Sequence, residues 1–99
     1  MSDENKYIAL LKNIVVTCLQ EVNVNVYLFG SWARKEENKT SDIDIAVEWI
    51  GKVDKSKMSE LREKIEESRL PYFVDVVDMT EASPILVKRI QQEGILWKG

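Results

Sequence analysis

The nine residues from Ser41 to Trp49 constrain the fold more than any other part of the sequence. Charged and apolar residues alternate there, and successive side chains of a strand point to opposite faces of a sheet. We therefore predict a strand whose apolar face lies against a core and is formed by Ile43, Ile45, Val47 and Trp49. The opposite face carries Asp42, Asp44, Ala46 and Glu48, with the two aspartates roughly 7 Å apart along the strand.

Helical and strand patterns alternate along the rest of the chain. We predict a helix from Asp3 to about Glu21, a strand over Val24 to Phe29 that ends at Gly30, a helical turn over residues 31–37 and a polar loop before Ser41. After Trp49 we predict a helix capped by Ser56 and stopped by Pro71, a strand over 72–77, a helix with Ser83 as cap and Gly94 at its end, and a short edge strand over 95–97. This order predicts a sheet covered by helices, in the α/β or α+β class, and 99 residues suit one domain over 1–99.

Composition excludes several kinds of chemistry. The chain has no histidine and a single cysteine, Cys18, so the commonest general base, a thiolate cluster and an internal disulfide are excluded. The net charge of −3 argues against a surface that grips nucleic acid through its phosphates. Apolar runs are too short to span a bilayer and the N-terminus lacks the layout of a signal peptide, so we expect a cytoplasmic protein. The remaining reactive groups are carboxylates, hydroxyls, Lys, Arg or a hard metal ion.

The pair Asp42 and Asp44 is the first candidate site. Two carboxylates so close repel, and each raises the pKa of the other unless a cation lies between them. Mg²⁺ suits this position because it prefers oxygen ligands and is usually held by one or two carboxylates together with water and substrate phosphates. The alternative is that Asp42 caps a turn and Asp44 lies on a solvated face of the sheet.

Two further features adjoin this pair in the predicted fold. Glycine lets a backbone approach a ligand closely, so Gly30 and Ser31, between a strand and a helical turn, form a candidate phosphate site. The alternative there is an ordinary turn with Ser31 as N-cap. Asp75 interrupts an apolar strand, where a buried lone charge would need a partner or a metal. If that strand neighbours the one before it, Asp75 completes a carboxylate triad suited to two-metal phosphoryl transfer. For Asp78, at the strand end, we predict a turn or cap role.

The residues Phe29-Gly30-Ser31-Trp32-Ala33-Arg34 and Ser41-Asp42-Ile43-Asp44-Ile45 together resemble a known signature. The pattern is similar to the G-S-x-A-x-G and S-D-[IV]-D-[LIV] motifs of the DNA polymerase β-like nucleotidyltransferase superfamily, and the length points to its minimal nucleotidyltransferase branch. The resemblance implies an α+β fold, an α/β-type sandwich with a small mixed sheet of three or four strands packed with helices. It departs from the family at Lys35, where a second glycine is common. Lys35 is then either a phosphate contact or a solvated lysine.

The resemblance also implies an activity. A member would transfer a nucleoside monophosphate, AMP from ATP in our expectation, to an acceptor hydroxyl and release pyrophosphate with Mg²⁺ as cofactor. Asp42, Asp44 and Asp75 would be both the catalytic residues and the metal ligands, Asp75 also serving as base for the acceptor. The implied nucleotide contacts are Gly30, Ser31, Arg34 and Ser41.

The minimal branch further implies a partner. Its members are commonly paired with a separate helical protein of the HEPN type in toxin–antitoxin modules, so we expect this chain to be an antitoxin that modifies its partner with AMP. Trp32, Tyr72 and Trp97 are candidate interface aromatics, although each fits a core position equally well. The alternative is a non-catalytic subunit that binds nucleotide or inhibits its partner. Three carboxylates near a phosphate loop favour the enzyme.

Overall fold

Helices and strands alternate in the computed structural model, which describes residues 3–34 and 42–98. The elements are α1 (Asp3–Cys18), β1 (Val24–Phe29), β2 (Ile43–Trp49), α2 (Lys55–Glu67), β3 (Val74–Asp78), α3 (Pro84–Glu93) and β4 (Ile95–Lys98). The predicted order of elements and the α+β class are confirmed. The structure of the predicted polar loop, Lys35 and Ser41 lies outside the described residues.

The four strands form one mixed sheet in the order β3-β2-β1-β4. β1 pairs antiparallel with β2 and with β4, whereas β2 and β3 run parallel. The third strand therefore neighbours the second, which is the condition that the predicted triad needed. In this register Asp44 of β2 lies opposite Phe29 on one side and opposite Asp75 on the other.

The two faces of the sheet are covered differently. α1 and α2 cover one face, where the core includes Leu11, Val15, Leu19, Ile43, Ile45, Val47, Leu61 and Ile65. On the other face a smaller cluster of Ala46, Met79 and Ile90 packs beneath α3. The predicted alternation of the second strand is confirmed, since the apolar side chains from Ile43 to Trp49 are buried while Asp44 and Glu48 stay partly exposed. Trp32 and Tyr72 pack in the larger core, so the core interpretation of these two aromatics holds.

Several predicted boundaries were wrong. α1 ends at Cys18, three residues early, because a turn closes there with the Val22 N–H donating to the Leu19 carbonyl at 3.2 Å. Asp54 caps α2 in place of Ser56, because its carboxylate accepts from the backbone N–H of Ser56 and Lys57.

The last helix and the third strand show smaller differences. Ser83 caps α3 as predicted and accepts from the Leu86 N–H at 3.2 Å. Gly94 ends α3 at a φ of −69°, outside the left-handed region typical of a helix-ending glycine. The third strand begins at Val74, two residues later than predicted.

No helix in residues 3–34 and 42–98 is both long enough and apolar enough to cross a membrane.

Candidate active site

The Asp44 carboxylate lies against the backbone of Gly30, where β1 ends. A β-carbon placed on Gly30 would collide with Asp44 Oδ2, so only glycine leaves room for the carboxylate in this position. Gly30 also has a φ of +76°, a conformation that side chains of other residues disfavour. The glycine and the aspartate of the two sequence motifs therefore meet at one point, joined by the pairing of β1 with β2.

The chain after Gly30 forms a turn, which we call the Gly30–Arg34 turn. Its backbone is closed by the Arg34 N–H, which donates to the Gly30 carbonyl at 3.1 Å. The Arg34 guanidinium lies 3.9 Å from the Glu93 carboxylate at the end of α3, and both side chains are roughly half exposed. Ser31 is partly exposed within this turn. The predicted phosphate-binding residues Gly30, Ser31 and Arg34 are thus brought together beside Asp44.

Asp75 lies next to Asp44 but is not buried. The two residues are paired on adjacent parallel strands, which are about 4.8 Å apart in a sheet. Our prediction of a lone charge buried in the middle of a strand was wrong, because β3 is an edge strand and Asp75 is exposed there. Asp42 is also exposed, directly before β2. Proximity to Asp44, and not burial, is what links Asp75 to the site.

The electrostatics of the site converge on Asp44. Burial is the main cause that raises the pKa of the Asp44 carboxyl above its usual value, and the charges of Asp75 and Asp42 raise it further. The Arg34 guanidinium opposes these effects and lowers the pKa. All three predicted carboxylates therefore act on the same region of space, and the ionised form of Asp44 is stabilised by any cation that binds there.

The donor set suits a hard divalent cation. Carboxylate oxygens are the ligands that Mg²⁺ takes from proteins, with water and phosphate completing its octahedral shell. Among the described residues, no three histidine, cysteine or acidic side chains are arranged to hold a metal ion by themselves. A cation here would accordingly be shared between Asp44, its acidic neighbours and the oxygens of a bound ligand.

Two other carboxylates on these strands are occupied by hydrogen bonds. Asp78 accepts from the Thr80 N–H at 2.9 Å and from its hydroxyl at 2.6 Å, which is the turn role we predicted. Glu48 accepts from Asn25 Nδ2 at 2.9 Å and from Gln91 Nε2 at 2.8 Å, and these bonds lower the pKa of its carboxyl. Asp44 and Glu48 share one face of β2 but have pKa values shifted in opposite directions, so they are suited to different roles.

A cleft of about 610 Å³ opens between β3 and α2 beside Asp75, and sequence reasoning missed it. Its walls include Phe73, which is 72% exposed, and Arg62, whose Nη2 donates to the Val76 carbonyl at 3.1 Å. The alternation of β3 places Phe73 on the same face as Asp75, and that signal was present in the sequence. Nothing in the sequence pattern indicated that Arg62 would reach the edge of the sheet.

The raised pKa of Asp44 gives a prediction for stability in a metal-free buffer. We expect Asp44→Asn to raise the midpoint of thermal unfolding at neutral pH, because the ionised carboxylate is held near other negative charges. A carboxyl with a raised folded-state pKa binds its proton more tightly in the folded than in the unfolded chain, so its charge destabilises the fold above that pKa. The gain should therefore disappear as the pH falls below about 3.8, the ordinary value. Thermal unfolding of both proteins in a chelator across this pH range measures it, and a gain that is independent of pH would contradict it.

The chain matches one family and one characterised relative over most of its length. Residues 11–98 match the family described as polymerase beta, nucleotidyltransferase. Over 92 residues the chain is 37% identical to protein adenylyltransferase MntA of Shewanella oneidensis, a match that covers 93% of this chain and 62% of that protein. The chain thus spans less than two thirds of the length of this relative.

Two solved structures have a similar fold. One is a toxin–antitoxin structure with AMP-PNP, with a TM-score of 0.69 and 30% identity over 89% of this chain and 73% of the other. The second is a tri-AMPylated Shewanella oneidensis HEPN toxin in complex with MNT antitoxin, with a TM-score of 0.63 and 29% identity over 92% of this chain and 71% of the other. The range matched by the family contains every residue of the candidate site.

Proposed function

The chain belongs to the minimal nucleotidyltransferases of the polymerase β-like superfamily, and from this premise we propose that it transfers AMP from ATP to a hydroxyl on a partner protein. The observation that supports the proposal most directly is the contact between Asp44 and Gly30, with Asp75 on the neighbouring strand. This arrangement places a phosphate-binding turn against a cluster of carboxylates. A triphosphate and the cations that accompany it have their binding groups on adjoining segments.

In the proposed mechanism the described residues divide the work between donor and acceptor. The Gly30–Arg34 turn binds the terminal phosphates through Gly30 and Ser31, and Arg34 adds a positive charge. Ser41 is a further proposed nucleotide contact. Asp42 and Asp44 hold Mg²⁺, which when bound neutralises the charge of the triphosphate and favours attack at the α-phosphorus.

Asp75 serves the acceptor. Its carboxylate takes the proton of the acceptor hydroxyl as that oxygen bonds to the α-phosphorus and the bond from the α-phosphorus to the bridging oxygen of the β-phosphate breaks. Pyrophosphate leaves and the acceptor carries AMP. The exposed position of Asp75 on the edge strand supports this role, because a protein acceptor can approach it from solvent. The cleft beside Phe73 offers room for the acceptor chain.

We propose a HEPN-type toxin as the partner, with this chain as its antitoxin. The support is the 37% identity to an adenylyltransferase and the similarity to an antitoxin solved with a HEPN toxin. Because the chain spans 62% of that adenylyltransferase, the activity, the nucleotide and the partner are proposals for this chain.

The test is label transfer from ATP. The purified chain, together with proteins that co-purify with it from its host, is incubated with Mg²⁺ and ATP labelled at the α-phosphate. We expect label on the partner, and no label when Asp42 and Asp44 are both changed to Asn. If no acceptor is labelled and ATP binds equally well with and without Mg²⁺, the chain is instead a non-catalytic nucleotide-binding or inhibitory subunit.

A further inference from the structure

Two aromatic rings connect the Gly30–Arg34 turn to the start of β3. Trp32, in the turn, is only 7% exposed, and its ring centroid lies 5.1 Å from that of Tyr72 with an angle of 81° between the planes. Tyr72 precedes Val74, the first residue of β3, by two positions. This edge-to-face geometry is the favourable arrangement of two aromatic rings. The chain segments before Asp44 and before Asp75 are therefore in side-chain contact.

The topology makes this contact informative. The turn is attached to β1 and Asp75 lies on β3, and these strands are not neighbours because β2 separates them. Within the sheet, the position of the turn relative to Asp75 depends on two successive ladders of hydrogen bonds. The Trp32–Tyr72 ring pair passes from the end of β1 to the start of β3 directly.

The rings and the carboxylates lie on opposite faces of the sheet. Trp32 and Tyr72 pack in the core beneath α1 and α2. Asp75 alternates with Val76, which faces that core, and shares its face with Val77, which packs in the cluster beneath α3. The rings thus act on the site through the backbone and not through contact with a substrate.

We propose that Trp32 and Tyr72 are positioning residues that set the distance between the phosphate-binding turn and Asp75. The inference rests on the proposed function, in which the turn holds the donor and Asp75 serves the acceptor. Rapid transfer needs the reacting atoms about 3–3.5 Å apart, and a misplacement of about 1 Å costs on the order of 10²-fold in rate. Asp44 moves with the turn because it contacts Gly30, so donor binding depends less on the ring pair than the transfer step does.

Tyr7 supplies a matched control. Its ring on α1 lies 5.8 Å from the ring of Tyr72 at an angle of 69°. Tyr7→Leu and Trp32→Leu each remove one edge-to-face contact from Tyr72, but only Trp32→Leu disconnects the turn. A merely structural role predicts similar effects of the two changes on activity, whereas a positioning role predicts different ones.

The experiment measures label transfer to the partner and amide hydrogen exchange, below the unfolding temperature of every variant. We expect Trp32→Leu to lower kcat by about 10- to 10²-fold with the KM for ATP within about threefold of wild type. Tyr7→Leu should leave kcat within about twofold, and Trp32→Phe should recover most of the rate. The Arg34 amide, which donates to Gly30, should exchange faster in Trp32→Leu and unchanged in Tyr7→Leu.

Two outcomes overturn the proposal. One is an equal kcat in Trp32→Leu and Tyr7→Leu when the wild type is active, and the other is an unchanged exchange rate at Arg34 in Trp32→Leu. If Trp32→Leu does not fold, Tyr72→Leu breaks the same ring pair from the β3 side and is compared with Tyr7→Leu. A wild type that transfers no label refutes the proposed function instead, and the exchange measurement still decides whether the rings hold the turn.

Discussion

Asp44→Asn is expected to lower the rate of nucleotidyl transfer by on the order of 10³-fold, the scale set by removing one strong electrostatic group from a preorganised site. Asp44 is the carboxylate at which the other parts of the site meet, since it contacts Gly30, pairs with Asp75 and feels the charges of Asp42 and Arg34. Asparagine keeps the shape of the side chain but removes the negative charge that a divalent cation needs. Initial rates of label transfer at saturating ATP and Mg²⁺ measure the effect.

Asp54→Asn is the matched control for that substitution. The chemical change is identical, but Asp54 caps α2 and is assigned no role in transfer. Asparagine caps a helix about as well as aspartate, so both activity and stability should stay near wild type. If Asp44→Asn retained more than about a tenth of the activity, the loss would be too small for a metal ligand. The proposed role of Asp44 would then have to be abandoned.

Gly30→Ala is expected to damage both the fold and the activity. The φ of +76° costs a non-glycine residue roughly 1–2 kcal/mol in the free energy of unfolding. The new methyl group would also collide with Asp44 Oδ2 and displace the carboxylate from the turn. We therefore expect a loss of transfer rate of at least about 10²-fold, the scale of a misplaced catalytic group. Denaturant unfolding and label transfer measure the two effects separately.

Gly51→Ala isolates the collision from the backbone strain. Gly51 has a φ of +93°, so alanine there meets a similar conformational cost, but no atom lies within 4 Å of the added β-carbon. We expect a comparable part of the destabilisation and an unchanged rate of transfer. Equal losses of activity in the two variants would show that general destabilisation, and not displacement of Asp44, is responsible. Changing Asp44 and Gly30 together should give little further loss of rate, because residues in contact are not additive.

The strand that carries Asp44 was predicted accurately because its pattern is local. Alternation of Ile43, Ile45 and Val47 with polar residues identifies one buried face whatever the neighbouring strands are. Asp75 shows where such reasoning fails. Its apolar surroundings suggested burial, but exposure depends on whether a strand is central or at an edge, and β3 is at the edge. The cap of α2 failed for a related reason, since Asp54 and Ser56 are both good caps and the position of Asp54 decides which of them is used.

Residue types and spacing were sufficient to predict the class of fold, the family and the carboxylates, because the chemistry of a glycine–serine turn and an alternating aspartate pair is written in neighbouring residues. The three-dimensional arrangement was needed for everything that joins distant segments. Contact of Asp44 with Gly30, pairing of Asp44 with Asp75 and the ring contact of Trp32 with Tyr72 all depend on strand order and register. Those are set by packing of the whole chain, and no local pattern contains them.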